Sequence, residues 1–179
     1  MRETVRVMIP AEKIERRIDE IARDVSRDFA GKTITLICVL KGGVMFMVDL
    51  ARKLNHTVEL DFMDISSYGD STESSGVIRI KKDLENPISG KNVLLVEDII
   101  DSGRTLTRLR QHLLAQSPAC LKICALLDKP DRRAVDVDVV KPDYIGFVIP
   151  DEFVVGYGLD YAQRYRNLSY IGVLEFHEE

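Results

Sequence analysis

Apolar positions recur at helical spacing over residues 11–30, where Ile14, Ile18, Ile21 and Val25 stand among charged neighbours and Gly31 follows. That period predicts an amphipathic helix with a glycine stop. Beyond Gly31 the period changes. Residues 33–40, TITLICVL, are apolar almost without interruption and rich in β-branched side chains, the pattern of a strand covered on both faces. Residues 43–54 then predict a helix and 57–65 a second strand. The polar, small-residue stretch 66–76 predicts a long loop, and 77–84 a strand beside it. Another buried strand at 92–98 leads into a helix at 103–116, followed by strands at 121–128 and 143–149. From Pro150 to Glu179 the chain is aromatic-rich, which predicts irregular structure with a last strand at 170–176.

Strands alternating with helices imply right-handed crossovers and a mostly parallel twisted sheet flanked by helices, an α/β fold. Open sheets of this kind bind ligands beyond the carboxyl ends of their strands. The residues immediately after the predicted strands are Lys41-Gly42-Gly43, Glu97 to Thr105, Asp128-Lys129, and Pro150 onward with Phe153. Charged, glycine and aromatic side chains therefore gather at one rim.

Length and composition narrow the class. A chain of 179 residues suits one domain, with a core over about 31–150, and 45% hydrophobic residues suffice for a packed interior. The 25 Lys and Arg against 29 Asp and Glu, with no dense basic tract, argue against a nucleic-acid partner. Cys38, Cys120 and Cys124 lie in or beside apolar runs without a Cys-x-x-Cys pair, as buried thiols in a reducing compartment would. His56, His112 and His177 are scattered, which gives no support to a histidine zinc site. Met1 to Pro10 has no long apolar stretch and no segment could span a bilayer, so no membrane partner and a cytoplasmic location are expected.

The sharpest chemistry lies in VLLVEDIIDSGRTL, residues 93–106. An apolar strand ends in Glu97-Asp98, Asp101 follows, and Ser102-Gly103-Arg104-Thr105 then supplies the small residues of an anion cradle at a helix start. Neither a P-loop nor a dinucleotide fingerprint matches. An N-cap by Asp101 or Ser102 accounts for one acid, but three need a ligand bearing both hydroxyls and a phosphate. A sugar phosphate has both. GYG at 156–158 has no third glycine and predicts a structural turn.

This stretch resembles the phosphoribosyl-pyrophosphate motif of the type I phosphoribosyltransferases, in the form found in hypoxanthine phosphoribosyltransferases. LKGG (40–43), SSYG (66–69), LLDKP (126–130) and IPDEFVVGYGLDYAQRYRNL (149–168) resemble that family's other segments in the same order, so the likeness covers essentially the whole chain. The resemblance implies a small hood from the chain termini, with 150–179 contributing the purine-binding segment. It also implies purine salvage: Mg²⁺-dependent transfer of a 5-phosphoribosyl group from phosphoribosyl pyrophosphate to N9 of a 6-oxopurine. On that basis Glu97 and Asp98 would hold the ribose hydroxyls with the help of Mg²⁺, and Asp101 would act as acid/base at purine N7. Ser102, Gly103, Arg104 and Thr105 would bind the 5′-phosphate, although many relatives have Lys where this chain has Arg104.

Lys41, after a cis Leu40–Lys41 peptide, would join Gly42 and Arg166 at the pyrophosphate. Lys129, Phe153 and Val154 would read the purine, and Asp160 would stand beside them as the further metal-contacting carboxylate. Ser67 and Tyr68 would belong to a lid. The small-molecule substrates are the implied partners, and relatives are commonly homodimers or homotetramers. Two rivals differ in class. An RNA-binding attenuator with a uracil activity usually has Tyr-Thr-Gly in place of Ile-Asp-Ser-Gly, and a metal-dependent phosphatase would read the same acids without any base.

Overall fold

The computed structural model describes residues 2–67, 78–134 and 140–177. In chain order they form β1 (Arg2–Ile9), α1 (Ala11–Asp28), β2 (Ile34–Leu40), α2 (Val44–Lys53), β3 (Val58–Ser67), β4 (Ile78–Lys82) and β5 (Asn92–Ile100). α3 (Arg104–Leu114), β6 (Cys120–Asp128), a 3-10 turn (Pro130–Arg132), β7 (Tyr144–Val148), β8 (Val154–Val155) and β9 (Ile171–His177) complete it. Six strands make the main sheet in the order β4-β3-β2-β5-β6-β7, with only the β3–β4 pairing antiparallel. The sheet and its flanking helices are the α/β architecture expected from the alternating pattern.

The uninterrupted apolar runs have a direct cause. Along β5, Leu94 and Val96 enter one core with Ile14, Ile18 and Val25 of α1 and Phe46, Met47 and Leu50 of α2. Val93 and Leu95 point the other way, to Leu106, Leu109 and Leu113 of α3. Each such side chain contributes roughly 1.5–3 kcal/mol by leaving water, so neither face of the strand tolerates a polar residue. α1 also covers the sheet edge: Arg17 donates to the carbonyls of Ile145 and Gly146 on β7 at 2.7 and 3.0 Å. Lys53 ties α2 to Asp19 of α1 at 2.6 Å. Gly31, at φ +73°, lets the chain turn from α1 toward β2, a left-handed conformation glycine adopts without strain.

The expected last strand at 170–176 is present as β9, Ile171–His177, and what the expectation lacked is its pairing. β8 and β9 belong with β1 to a second, three-stranded sheet, β1-β9-β8, in which Arg2 faces His177 and Val154 faces Val173. β1 was not expected from the sequence, although Val5, Val7 and Ile9 alternate with Thr4, Arg6 and Met8. β3 runs on to Ser67, so it takes in the first two residues expected to belong to the loop. Tyr68 lies outside the described residues. All three cysteines are reduced; burial pushes the Cys38 thiol up to about 12 and raises that of Cys124 further, so neither is a nucleophile near neutrality. Among the described residues no helix is long and apolar enough to cross a membrane.

Candidate active site

β2 and β5 are parallel neighbours, with Cys38 opposite Val96, but the chain leaves them in opposite directions. From β2 it passes through α2 to β3 on one side, and from β5 through α3 to β6 on the other. The loops therefore splay apart at this point and leave a crevice. Apart from Arg104, Ser67 and Tyr68, the expected site residues line the two cavities that open there.

The first loop is Lys41-Gly42-Gly43, entered through a cis Leu40–Lys41 peptide bond, as the resemblance implied. Gly42 is pressed between two other parts of the site. A Cβ on it would lie 1.6 Å from Asp98 Oδ2, and its carbonyl oxygen lies 2.1 Å from where a Cβ of Gly158 would be. Gly158, at φ +101°, belongs to the turn that GYG predicted. Loop, carboxylate and turn are thus packed backbone to side chain.

The second loop follows β5. Gly103, at φ +78°, reverses the chain so that α3 begins at Arg104, and Ser102 Oγ lies 3.4 Å from the Arg104 amide. Neither expected cap holds the position: Gly103 is the cap residue, and no side chain caps the helix. A cavity of about 260 Å³ opens over this helix start, lined by Glu97, Asp98, Asp101, Ser102, Gly103 and Thr105 among others. Arg104 is absent from that lining.

A second cavity, of about 390 Å³, shares Asp98, Ile99 and Asp101 with the first and continues to Lys41, Gly42, Lys129, Phe153, Val154, Asp160 and Arg166. Lys129 is no surface cation: it is 7% exposed, and its Nζ donates to the Glu152 carbonyl at 2.6 Å. Phe153 is 54% exposed, with its ring edge-to-face against Tyr161 at 5.8 Å. Asp160 accepts from Arg166 at 2.8 Å and from the Gln163 amide at 2.8 Å. Arg166 also donates to the Gly158 carbonyl at 2.7 Å, while its Nε is buried with no partner among the described residues. Lys41 Nζ reaches Gln163 at 3.4 Å across the mouth.

Two carboxyls here are held above their usual range. Burial raises Glu97 far, assisted by the negative charge of Asp98. Burial also raises Asp98, against hydrogen bonds from backbone amides and the Arg166 charge. A carboxyl whose folded pKa exceeds its unfolded one stabilises fully below the unfolded value and loses that contribution as pH rises through the window above it. Glu97→Gln, which keeps the shape and cannot ionise, is therefore expected to raise the melting temperature more at pH 8 than at pH 5. Equal shifts at both pH values would show that the folded-state pKa of Glu97 is not raised above its unfolded value.

Residues outside the expected set also line or support the site. Leu159 and Ile99 close the second cavity, and Arg132 donates from Nε to Asp101 Oδ1 at 3.0 Å. Arg133 donates to the main-chain oxygens of Asp101 and Ile100 at 2.6 and 3.2 Å and pairs with Asp128. The available signal was position: both arginines follow β6 by a few residues, on the rim already singled out.

A crevice lined by a helix start, carboxylates and an exposed aromatic ring at the switch point of a parallel sheet is the architecture of a nucleotide-handling transferase. The chain belongs to the phosphoribosyltransferase family: residues 9–162 match the model of the phosphoribosyl transferase domain. It is 51% identical over 174 residues to the hypoxanthine phosphoribosyltransferase of Escherichia coli K12, covering 96% of each chain. To the hypoxanthine-guanine phosphoribosyltransferase of Mycobacterium avium it is 51% identical over 175 residues, 94% of this chain and 85% of that one. A crystal structure of a hypoxanthine-guanine phosphoribosyltransferase from Bacillus anthracis superposes with a TM-score of 0.90 at 44% identity, over 98% of this chain and 100% of that one.

Proposed function

We propose that this phosphoribosyltransferase serves purine salvage, joining phosphoribosyl pyrophosphate to N9 of hypoxanthine or guanine and releasing pyrophosphate, with IMP or GMP as product. One observation carries the reading: an anion cradle and a base-sized cavity with a buried lysine and an exposed aromatic ring meet at Asp98, Ile99 and Asp101. A ribose between the two cavities puts its 5′-phosphate over Ser102, Gly103 and Thr105, and its C1′ toward the base. The N9–C1′ bond forms as the C1′–O bond to pyrophosphate breaks, and Asp101 takes the N7 proton. Carboxylates beside the ribose favour the cationic character that develops at C1′. Lys129 donates to the 6-oxo group and Phe153 stacks on the ring.

Mg²⁺ fits as a shared ligand. Asp98 and Asp160 line one cavity with hard oxygen donors, while among the described residues no three ligating side chains cluster tightly enough to hold an ion alone. Asp98 and Asp160, with Glu97 behind them, would supply part of the coordination, and substrate oxygens and water the rest. The ion would neutralise charge on the departing pyrophosphate.

The test is base-dependent pyrophosphate release with hypoxanthine, guanine, xanthine and adenine. Hypoxanthine or guanine is expected to turn over, and adenine, which offers no acceptor to Lys129, to be worse by roughly 10⁴. Equal use of adenine, or phosphate release without any base, defeats the proposal. In the same assay Lys129→Ala is expected to raise the oxopurine KM by about 10- to 100-fold, the worth of a hydrogen bond to a charged group. The KM for phosphoribosyl pyrophosphate should stay put.

A further inference from the structure

Asp101 is held from two directions by consecutive residues of one turn. The 3-10 turn Pro130–Arg132 follows β6 directly and is closed by the Arg132 amide donating to the Lys129 carbonyl at 3.1 Å. Arg133, at its end, fixes the main chain of Asp101 through the carbonyl contact at 2.6 Å. Arg132 takes the side chain, Nε to Oδ1 at 3.0 Å, and its Nη1 lies 3.6 Å from Asp151 on the far side. Asp151 in turn lies 3.8 Å from Lys129 Nζ. An ion-pair chain therefore runs from Asp101 through Arg132 and Asp151 to Lys129, the two ends being the groups assigned to N7 and to the 6-oxo group.

The chain is exposed where Arg132 lies, at 53% for its side chain and 47% for that of Asp101. Exposed pairs add little to folding, because solvent screens them and ordering costs entropy. Geometry is what such a pair can supply. A guanidinium Nε–H is a single directed donor on a rigid plane, so it selects one orientation of the carboxylate. It also occupies Oδ1 alone, and no other side chain among the described residues hydrogen-bonds the second oxygen.

We propose that Arg132 is a positioning residue for Asp101: it holds the carboxylate rotated so that its second oxygen meets the purine N7 proton. Asp151 anchors Arg132 in that pose. The proposal rests on the acid–base reading of Asp101 and adds a residue to it.

The experiment measures kcat and both KM values for Arg132→Gln and Arg132→Lys in the full chain, alone and combined with Asp101→Asn, with melting temperatures alongside. Arg132→Gln is expected to lower kcat by about tenfold, as small misplacements of a reacting group do. The KM for phosphoribosyl pyrophosphate and the melting temperature should not change. Arg132→Lys, which keeps the charge but loses the rigid, directed donor, should recover little of the loss. In the Asp101→Asn background, Arg132→Gln should add nothing, since residues acting as one unit are not additive. A normal kcat in Arg132→Gln, or the same fold-loss in both backgrounds, overturns the proposal while leaving the acid–base reading intact. A normal kcat in Asp101→Asn alone overturns that reading, and the proposal with it.

Discussion

Replacing Asp101 by Asn lowers turnover by roughly 10²–10⁴, the usual contribution of a positioned acid or base, while product nucleotide still binds. The amide keeps the size of the carboxylate and can still accept from Arg132 across the 3.0 Å gap, so the pocket is not remodelled. It cannot take up a proton. A single-turnover rate with hypoxanthine and a thermal shift with GMP separate these two properties. If turnover survived, proton transfer at N7 would belong to another group or to water. A parallel loss of nucleotide affinity would mean that Asp101 holds the ligand and does no chemistry.

The second large effect is steric. Alanine at position 42 puts a methyl group 1.6 Å from Asp98 Oδ2 and 2.7 Å from its Cγ. The Gly42 carbonyl cannot retreat freely, because Gly158 packs against it and Arg166 holds that turn through the Gly158 carbonyl. Either the 41–43 loop or the Asp98 carboxylate must move by more than an ångström, and misplacements of about that size cost on the order of 10² in rate. Gly42→Ala is therefore expected to lose at least a hundredfold in kcat/KM for phosphoribosyl pyrophosphate, with a stability loss of about 1–3 kcal/mol from overpacking. Gly31→Ala is the control. That glycine also has positive φ, but an added Cβ would meet nothing within 4 Å, so stability falls and activity does not. Comparable activity losses in the two variants would mean that the Gly42 effect is global.

Much of this site was legible from the sequence because its determinants are local. β5 ends and α3 begins within four residues, so Glu97, Asp98, Asp101 and the Ser102–Thr105 cradle are fixed by one strand–turn–helix unit whose pattern is visible in fourteen letters. Lys129 was found by the rim rule: a lysine directly after a buried strand of a parallel sheet sits where ligands bind. The missing pieces are those set by distant contacts. β1 pairs with β9 across some 170 residues of chain, and its alternation is blurred because the strand is only partly buried. The last strand of the aromatic-rich tail was legible, but β8 was not, because its pairing depends on that same distant sheet. Arg132 and Arg133 went unassigned since two adjacent arginines in a charged stretch resemble a solvated surface. Only the folded chain shows Arg133 turned inward onto the carbonyls of Ile100 and Asp101.

The sheet that joins the two ends of the chain has a consequence for biosynthesis. Phe153 and Val154 are backed by β9, and β9 is completed by β1, so the wall against which a base would rest joins strands some 170 residues apart in the chain. Closing a loop of that length is slow relative to forming β5 and α3, which are neighbours. In a growing polypeptide the turn from β5 into α3 can therefore form before the strands behind Phe153 and Val154 have paired.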